Sequence, residues 1–428
     1  MAEVQYSEGK NPFRWVMLLF VCLFYFIILG FCNQSFNILL GTITTDMGWD
    51  TAQRTAIAGA MPSGMIWFVF IAGITMDKIS VKKVLGSSIM ICAVLIFLRG
   101  QAEGFMFFWV LMFLFGVASA FYSPATTKVI TLWFDKDELP LANGCLTAAS
   151  PIGQITANYS AVKIMQSIGG WQALYSLIGV ACFVVAVAFF VLGKDRKSED
   201  ASLKSNILTK EDLGLWKNVK GIIKVPYVWL MIIANMCFLG SIYAGGTFGL
   251  LVLQTDPGWM IDTAVSGRIP AWNNLFSMFA YILIPIVISK IGRQHYPKIA
   301  IICGLVAPIC FFIGYRSYNV TVISAMMAIS GIFYGGIVPA PKVLMLEHPE
   351  VSGLRAGTAL GVYVTLERIG ITIFITILGT LISQNPQQMS IVLSRFFLIQ
   401  LISPLLIFIG MFVKKRDDVR IAEANLRN

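Results

Sequence analysis

Thr365-Leu366-Glu367-Arg368-Ile369-Gly370 sets a carboxylate beside a guanidinium inside an apolar run. RAGTALGVYV precedes it and ITIFITILGTLIS follows it. The run has the length of a membrane span, where an arginine or acid at the bilayer centre costs about 2.5–3.5 kcal/mol on insertion scales. If the helix starts near Arg355, Glu367 and Arg368 lie roughly 18–20 Å along it, at about the midplane. Arg368 has the chemistry of an anion ligand, because its planar fork fits a carboxylate. Glu367 has the chemistry of a coupling-proton carrier, a recurrent role for acids within spans. Adjacent side chains leave a helix about 100° apart and do not face each other. The two charges are therefore expected to find separate surroundings rather than to pair. The alternative for each is an anchoring contact to a polar group on a neighbouring helix.

The elements that must hold these charges follow from composition. The chain has 428 residues, 57% hydrophobic and only 13% charged, too little charge to cover a soluble surface. It reads as an all-α, polytopic membrane protein. The first apolar run, Trp15 to Thr45, exceeds a signal-peptide core and lacks a small-residue cleavage site, so it is expected to stay in the membrane. Twelve candidate spans of about 20 apolar residues lie near 15–45, 53–76, 83–100, 104–133, 139–163, 171–193, 226–254, 263–289, 298–315, 319–346, 355–383 and 394–413. With the N-terminus in the cytoplasm, all but seven of the 32 Lys and Arg fall on the inner side. Arg54, Arg99, Lys163, Arg268, Arg316 and Arg395 go to outer loops, and Arg368 lies within a span. This asymmetry puts both termini inside. The net charge of +10 is dispersed over short loops, which excludes a nucleic-acid partner and leaves the bilayer as the surface met. The eight cysteines fall in apolar runs without metal-ligand spacing and read as small buried hydrophobes.

The expected organisation is an N-terminal six-helix bundle (1–193), a cytoplasmic linker (194–225), a C-terminal six-helix bundle (226–413) and a cytoplasmic tail (414–428). Within the linker, ILTKEDLGLWKNVKGII has the pattern of an amphipathic surface helix capped by Thr209. A plain tether is the alternative. The halves repeat. LGFCNQSFNILLGTITTDMGW (29–49) aligns with LGSIYAGGTFGLLVLQTDPGW (239–259), and both end in Thr-Asp-x-Gly-Trp. GVASAFYSPATTKV (116–129) aligns with GIFYGGIVPAPKV (331–343) with one gap. The same orientation in both copies implies a parallel six-plus-six duplication.

The loop GITMDKISVKK (73–83) resembles a signature of the major facilitator superfamily: Gly73, Asp77, Lys78 and Lys82 fit, while Ser80 and Val81 depart from it. In the second half PIVISKIGRQ (285–294) keeps Lys290, Gly292 and Arg293, but Ser289 stands where an acid is expected. WFDKDELPLANG (133–144) and GGWQALY (169–175) also resemble superfamily connections. The resemblance implies two bundles rocking about a midplane site. It implies a gating role for the Gly73–Lys82 loop, with Asp77 latching the outward-open state at the start of span eleven and Lys128 as its partner. Lys128 and its repeat mate Lys342 otherwise snorkel to the inner headgroups. Met112 stands where drug/proton antiporters carry an arginine, and their span-five pattern survives only as Ser150-Pro151-Ile152-Gly153, which weighs against that branch. A central cation in span eleven is similar to the carboxylate-handling branches, the oxalate/formate exchangers and monocarboxylate porters.

Polarity sorts the spans. The third, sixth, ninth and twelfth are nearly pure hydrocarbon and are expected to face lipid. Asn33, Gln34, Tyr122, Gln154, Tyr243, Asn273, Asn274, Tyr334 and Tyr363 fall on the others and are candidate substrate contacts with Arg368. Arg268, at the outer end of span eight, is a candidate gate. The expected function is secondary transport of a small organic anion, by proton symport or anion exchange, in a prokaryotic inner membrane and by a monomer. The alternatives are a proton-driven exporter of amphipathic compounds and a non-transporting sensor. The latter would carry an appended soluble domain. No His cluster, metal motif or phosphate-binding loop points to an enzyme, metal or cofactor.

Overall fold

The computed structural model describes residues 12–78, 80–134, 138–194, 220–348, 351 and 356–427. Within them the chain is helical, and twelve long segments stand where twelve spans are expected. The first is composite: α1 (Phe13–Phe24), a π-helical stretch (Tyr25–Cys32) and α2 (Asn33–Asp46). Then come α3 (Thr51–Lys78), α4 (Val81–Arg99), α5 (Phe105–Trp133), α6 (Leu139–Ile168) and α7 (Trp171–Leu192). The second set is α8 (Pro226–Thr255), α9 (Thr263–Ile291), α10 (Tyr296–Arg316), α11 (Val320–Ile337) with the short α12 (Ala340–Leu346), α13 (Ala356–Gln384), and α14 (Met389–Phe397) continuing through a 3-10 turn into α15 (Ile402–Arg427).

Local chemistry sets the boundaries. Ser80, Asp262 and Asn319 cap α4, α9 and α11 by accepting from backbone N–H groups of the first turn. Pro339 and Pro341 break the tenth span into α11 and α12, since proline removes a donor and clashes with the preceding turn. In the first span Gly30 lies against the backbone of Ser150 and Gly153 in α6, where a Cβ would overlap both. The π-helical stretch thus coincides with the closest approach between α6 and the first span.

Two apolar cores form, one built almost wholly from residues before Phe189 and one from residues after Ile222. Large apolar side chains on α7, α10 and α15 are exposed, among them Val184, Val191, Ile302, Leu405 and Phe412. These are three of the four helices expected to face lipid. On the fourth, α4, Ile91, Val94 and Phe97 are exposed. Ten of the twelve segments are long and apolar enough to cross a membrane on that basis alone. The other two, α3 and α6, pack against α13 and α9 of the opposite half.

The repeated Thr-Asp-x-Gly-Trp does the same job twice. Asp256, at the end of α8, accepts from Ser390 N at 2.9 Å and from Gly258 N at 2.9 Å. Asp46, at the end of α2, accepts from Trp171 Nε1 at 2.8 Å and Gln172 Nε2 at 3.3 Å. Each aspartate ends the first span of its half and meets the N-terminal turn of the last. That positive helix end offsets the cost of a carboxylate at its own helix C-terminus.

Three observations depart from expectation. The expected tail from Lys414 is not a separate element: α15 runs unbroken to Arg427. Lys414 Nζ lies 3.8 Å from Glu347 and Asp417 3.6 Å from His348 Nε2, which tie its extension to the end of span ten. Cys145 is exposed rather than buried. Arg99 is no loop residue: it closes α4 and is 1% exposed. Its guanidinium carbon stands 4.9 Å from the Phe115 ring and 5.1 Å from Tyr175, so aromatic faces take the place of water. Of the expected linker helix (207–223), residues 207–219 lie outside the described residues, and 220–223 are helical.

The halves meet at the end remote from both termini. Gln254 Nε2 on α8 donates to Ile38 O on α2 at 3.4 Å. Gly379 of α13 fits against Thr55 of α3 and Phe248 of α8, and a Cβ there would overlap the threonine hydroxyl. Gly267 of α9 approaches Asn158 O of α6. All three contacts lie toward the helix ends that carry the loops after α2, α8 and α13.

Candidate functional site

Glu367 and Arg368 lie near the middle of α13, about 18 Å from its first residue. They do pair, contrary to expectation: Arg368 Nη2 stands 3.3 Å from Glu367 Oε1. Helix geometry splays only the first bonds of adjacent side chains. Two long, flexible side chains curve back and bring their charged ends together. The second carboxylate oxygen of Glu367 accepts from Asn235 Nδ2 of α8 at 3.0 Å. The acid is thus satisfied by one cation and one neutral donor, and the group is close to neutral overall.

Arg368 is less completely held. Its contact with Glu367 is a single one, and its buried Nε has no hydrogen-bond partner among the described residues. The guanidinium carbon lies 6.0 Å from the Tyr243 ring centroid. From the opposite half, Tyr122 of α5 is near enough to interact with it electrostatically. Tyr122 packs edge-on against Tyr25 of the π-helical stretch, with ring centroids 5.8 Å apart. The Tyr25 hydroxyl accepts from Thr126 Oγ1 at 3.2 Å. Tyr363, one turn before Glu367, is buried and senses its charge. The result is an arginine with a spare donor and a competing carboxylate, ringed by phenols, where the two halves face each other.

The other polar candidates are placed elsewhere. Gln34 donates to Asn158 Oδ1 at 2.8 Å, joining α2 to α6. Gln154 reaches back to Ser150 on its own helix. Asn273 donates to Ser330 Oγ at 2.7 Å and to Met327 O at 3.3 Å, joining α9 to α11. Tyr334 is buried between Phe238 and Phe311. Among the described residues no hydrogen bond or ion pair links Asn33, Gln34, Gln154, Asn273, Asn274 or Tyr334 to the charged pair. Arg268 and Lys342 are exposed, and Lys82 and Lys128 are half-buried. The side chains of Gly73, Asp77 and Lys78 lie outside the described residues.

Two members of the site escaped the sequence reading. Neither Asn235, in span seven, nor Tyr25, in span one, is among the candidate substrate contacts. The repeat holds the missing signal. The register that aligns residue 29 with 239 also aligns Tyr25 with Asn235 and Asn33 with Tyr243. Tyr25, which packs on Tyr122, thus stands in one half where Asn235 stands in the other.

Two sets of six helices meet, with a charged pair near the middle of α13 where the halves face each other. The chain belongs to the Major Facilitator Superfamily, whose family model matches residues 19–375. It is 20% identical to a protein of Agrobacterium vitis named "Putative tartrate transporter", over 84% of this chain and 82% of that one. It is 23% identical to "Probable anion transporter 4, chloroplastic" of Oryza sativa subsp. japonica, over 68% of this chain but only 55% of the rice protein. The backbone is similar to the crystal structure of a bacterial homologue of the human lysosomal transporter Spinster, in an inward-facing, occupied conformation. The TM-score is 0.75 at 14% identity, covering 95% of this chain and 98% of that one. The chain is a membrane transporter and not an enzyme.

Proposed function

We propose that the chain carries a small organic anion of the carboxylate class by alternating access, as a proton symporter or an anion exchanger. One observation carries this reading: an arginine near the middle of its span whose buried Nε has no hydrogen-bond partner among the described residues, paired with a glutamate that an incoming carboxylate can replace and steadied by Tyr243. Substrate carboxylate and Glu367 compete for Arg368. A proton on Glu367 weakens its hold on the cation and frees it for the substrate, which couples the two. Asn235 keeps the released acid hydrogen-bonded, and Tyr25, Tyr122 and Tyr243 offer hydroxyls and ring faces to the rest of the ligand. Relatives named for tartrate and anion transport support the same class.

On the positive-inside orientation the contacts at Gln254, Gly267 and Gly379 lie on the outer side. In this reading Gly379 and Gln254 belong to the outer gate and Arg268 stands at its rim. The Gly73–Lys82 loop, with Asp77, Lys78, Lys128 and Lys342, serves the inner gate. The protein works as a monomer in a prokaryotic inner membrane, with bundles 1–193 and 226–413 moving about the 194–225 linker.

The pairing of Arg368 with Glu367 is also what an exporter of amphipathic compounds would show, with its charges mutually sequestered. A thermal-shift panel on purified protein separates the readings. Small carboxylates should stabilise the protein, and Arg368→Gln should abolish the effect. Stabilisation only by neutral or cationic amphiphiles would reject the anion reading.

A further inference from the structure

A half-open groove of about 530 Å³ runs along the N-terminal half between α4 and α5, bordered by Phe190 of α7. Its walls are hydrocarbon and aromatic, with Ile91, Leu95, Leu114 and Val117 along its length. The two serines that line it offer nothing to a polar ligand. Ser88 Oγ donates to Ala118 O at 2.6 Å and Ser87 Oγ to Val84 O at 3.2 Å, so both hydroxyls are used within the protein. None of the central-site residues lines it.

The groove has one charged end. Lys83, exposed in the first turn of α4, closes it on the side of the termini. Lys82 adjoins it, and the dipole of the same helix N-terminus adds positive potential. From Lys83 to Leu95 the helix rises about 18 Å. That is close to one leaflet's share of a hydrocarbon core of roughly 30 Å. A cation at headgroup depth, above a dry channel one leaflet deep, fits an anion with a long hydrocarbon tail.

We propose that this groove is a binding site for an anionic phospholipid of the leaflet on the side of the termini. One acyl chain lies between α4 and α5, and the phosphate sits on Lys83. The site is separate from the transport pathway and does not depend on the substrate assigned above.

The test is native mass spectrometry of the full chain in a neutral detergent, supplied with phosphatidylglycerol or phosphatidylcholine of the same chains at equal mole fraction. Retention of phosphatidylglycerol should exceed that of phosphatidylcholine about five-fold, the discrimination one lysine near an anionic surface provides. Lys83→Ala should remove that preference, and Leu114→Trp, which fills the groove, should remove retention. Ile91→Trp fills it from the other helix and serves if Leu114→Trp lowers the melting temperature. Lys298→Ala, an exposed lysine of the other half, should change nothing. Equal retention of the two lipids would overturn the proposal. So would retention that survives both tryptophans, or an equal loss in Lys298→Ala. Stabilisation through Lys83 by glycerol 3-phosphate alone would overturn it too, because the chain would then play no part.

Discussion

Asn235 Nδ2 donates to Glu367 Oε2 at 3.0 Å, so the central acid of α13 is fixed from α8 as well as from its own neighbour Arg368. The contact is neutral and leaves the arginine's charge free to be contested. It also joins two helices of one half, so it holds the site's geometry while that half moves as a body.

Removing the carboxylate should therefore raise anion affinity rather than lower it. Glu367→Gln is expected to bind carboxylates about ten-fold tighter, a gain of roughly 1.4 kcal/mol. The same variant should lose proton-driven accumulation in liposomes while keeping anion exchange. Arg368→Gln should lose both. Equilibrium binding together with flux under an imposed pH gradient checks this; unchanged proton-driven uptake in Glu367→Gln would remove that residue from coupling.

Asn235→Ala deletes one hydrogen bond to a charged group inside the membrane. Such bonds contribute about 0.6–2 kcal/mol there. We expect a melting temperature lower by a few degrees and altered anion affinity, whereas Asn235→Asp should be worse than Ala because two carboxylates would then face each other. Thermal unfolding in detergent gives the order, and Ala below Asp would contradict it.

The seam at Gly379 predicts a conformational effect. Gly379→Leu cannot fit beside Thr55 and Phe248 as this conformation requires, so it should drive the halves apart at that end. A cysteine at position 55, in a background cleared of the eight native cysteines, should react faster with an impermeant maleimide when Gly379→Leu is present. Thr55 is 9% exposed here, which sets a low baseline.

The paired aspartates predict an asymmetry. Asp256 is 2% exposed and accepts from two backbone N–H groups. Asp256→Ala strands both, at about 1–3 kcal/mol each. Asp46 is exposed and accepts from two side chains rather than from backbone, Gln172 being exposed and Trp171 alone buried. Asp46→Ala should therefore lower the melting temperature clearly less than Asp256→Ala.

Much of this architecture was legible in the chain. Hydrocarbon runs of spanning length have one stable solution in a bilayer, a helix with all its backbone groups paired. That is why the expected span 355–383 and the observed α13, Ala356–Gln384, nearly coincide. The repeat announced two like halves, and its aspartates, Asp46 and Asp256, turned out to bind first span to last. Position along the helix was legible too, because rise per residue is fixed, and it put Glu367 and Arg368 near the middle of α13. What neighbours them was not. Helix periodicity gives the direction in which a side chain leaves the backbone, but not where a flexible side chain ends. Periodicity thus pointed to two separate charges where the fold holds a pair. Gln34, Asn273 and Tyr334 have the same composition signal as Asn235 and Tyr25, yet they serve helix–helix contacts. Arg99 counted as a loop cation and is enclosed by Phe115 and Tyr175. The sequence by itself determined the helices, their order and where Glu367 and Arg368 lie along theirs, because these depend on local rise and hydrophobicity. Only the tertiary structure decided which polar groups meet, because that depends on the rotation and approach of helices far apart in the chain.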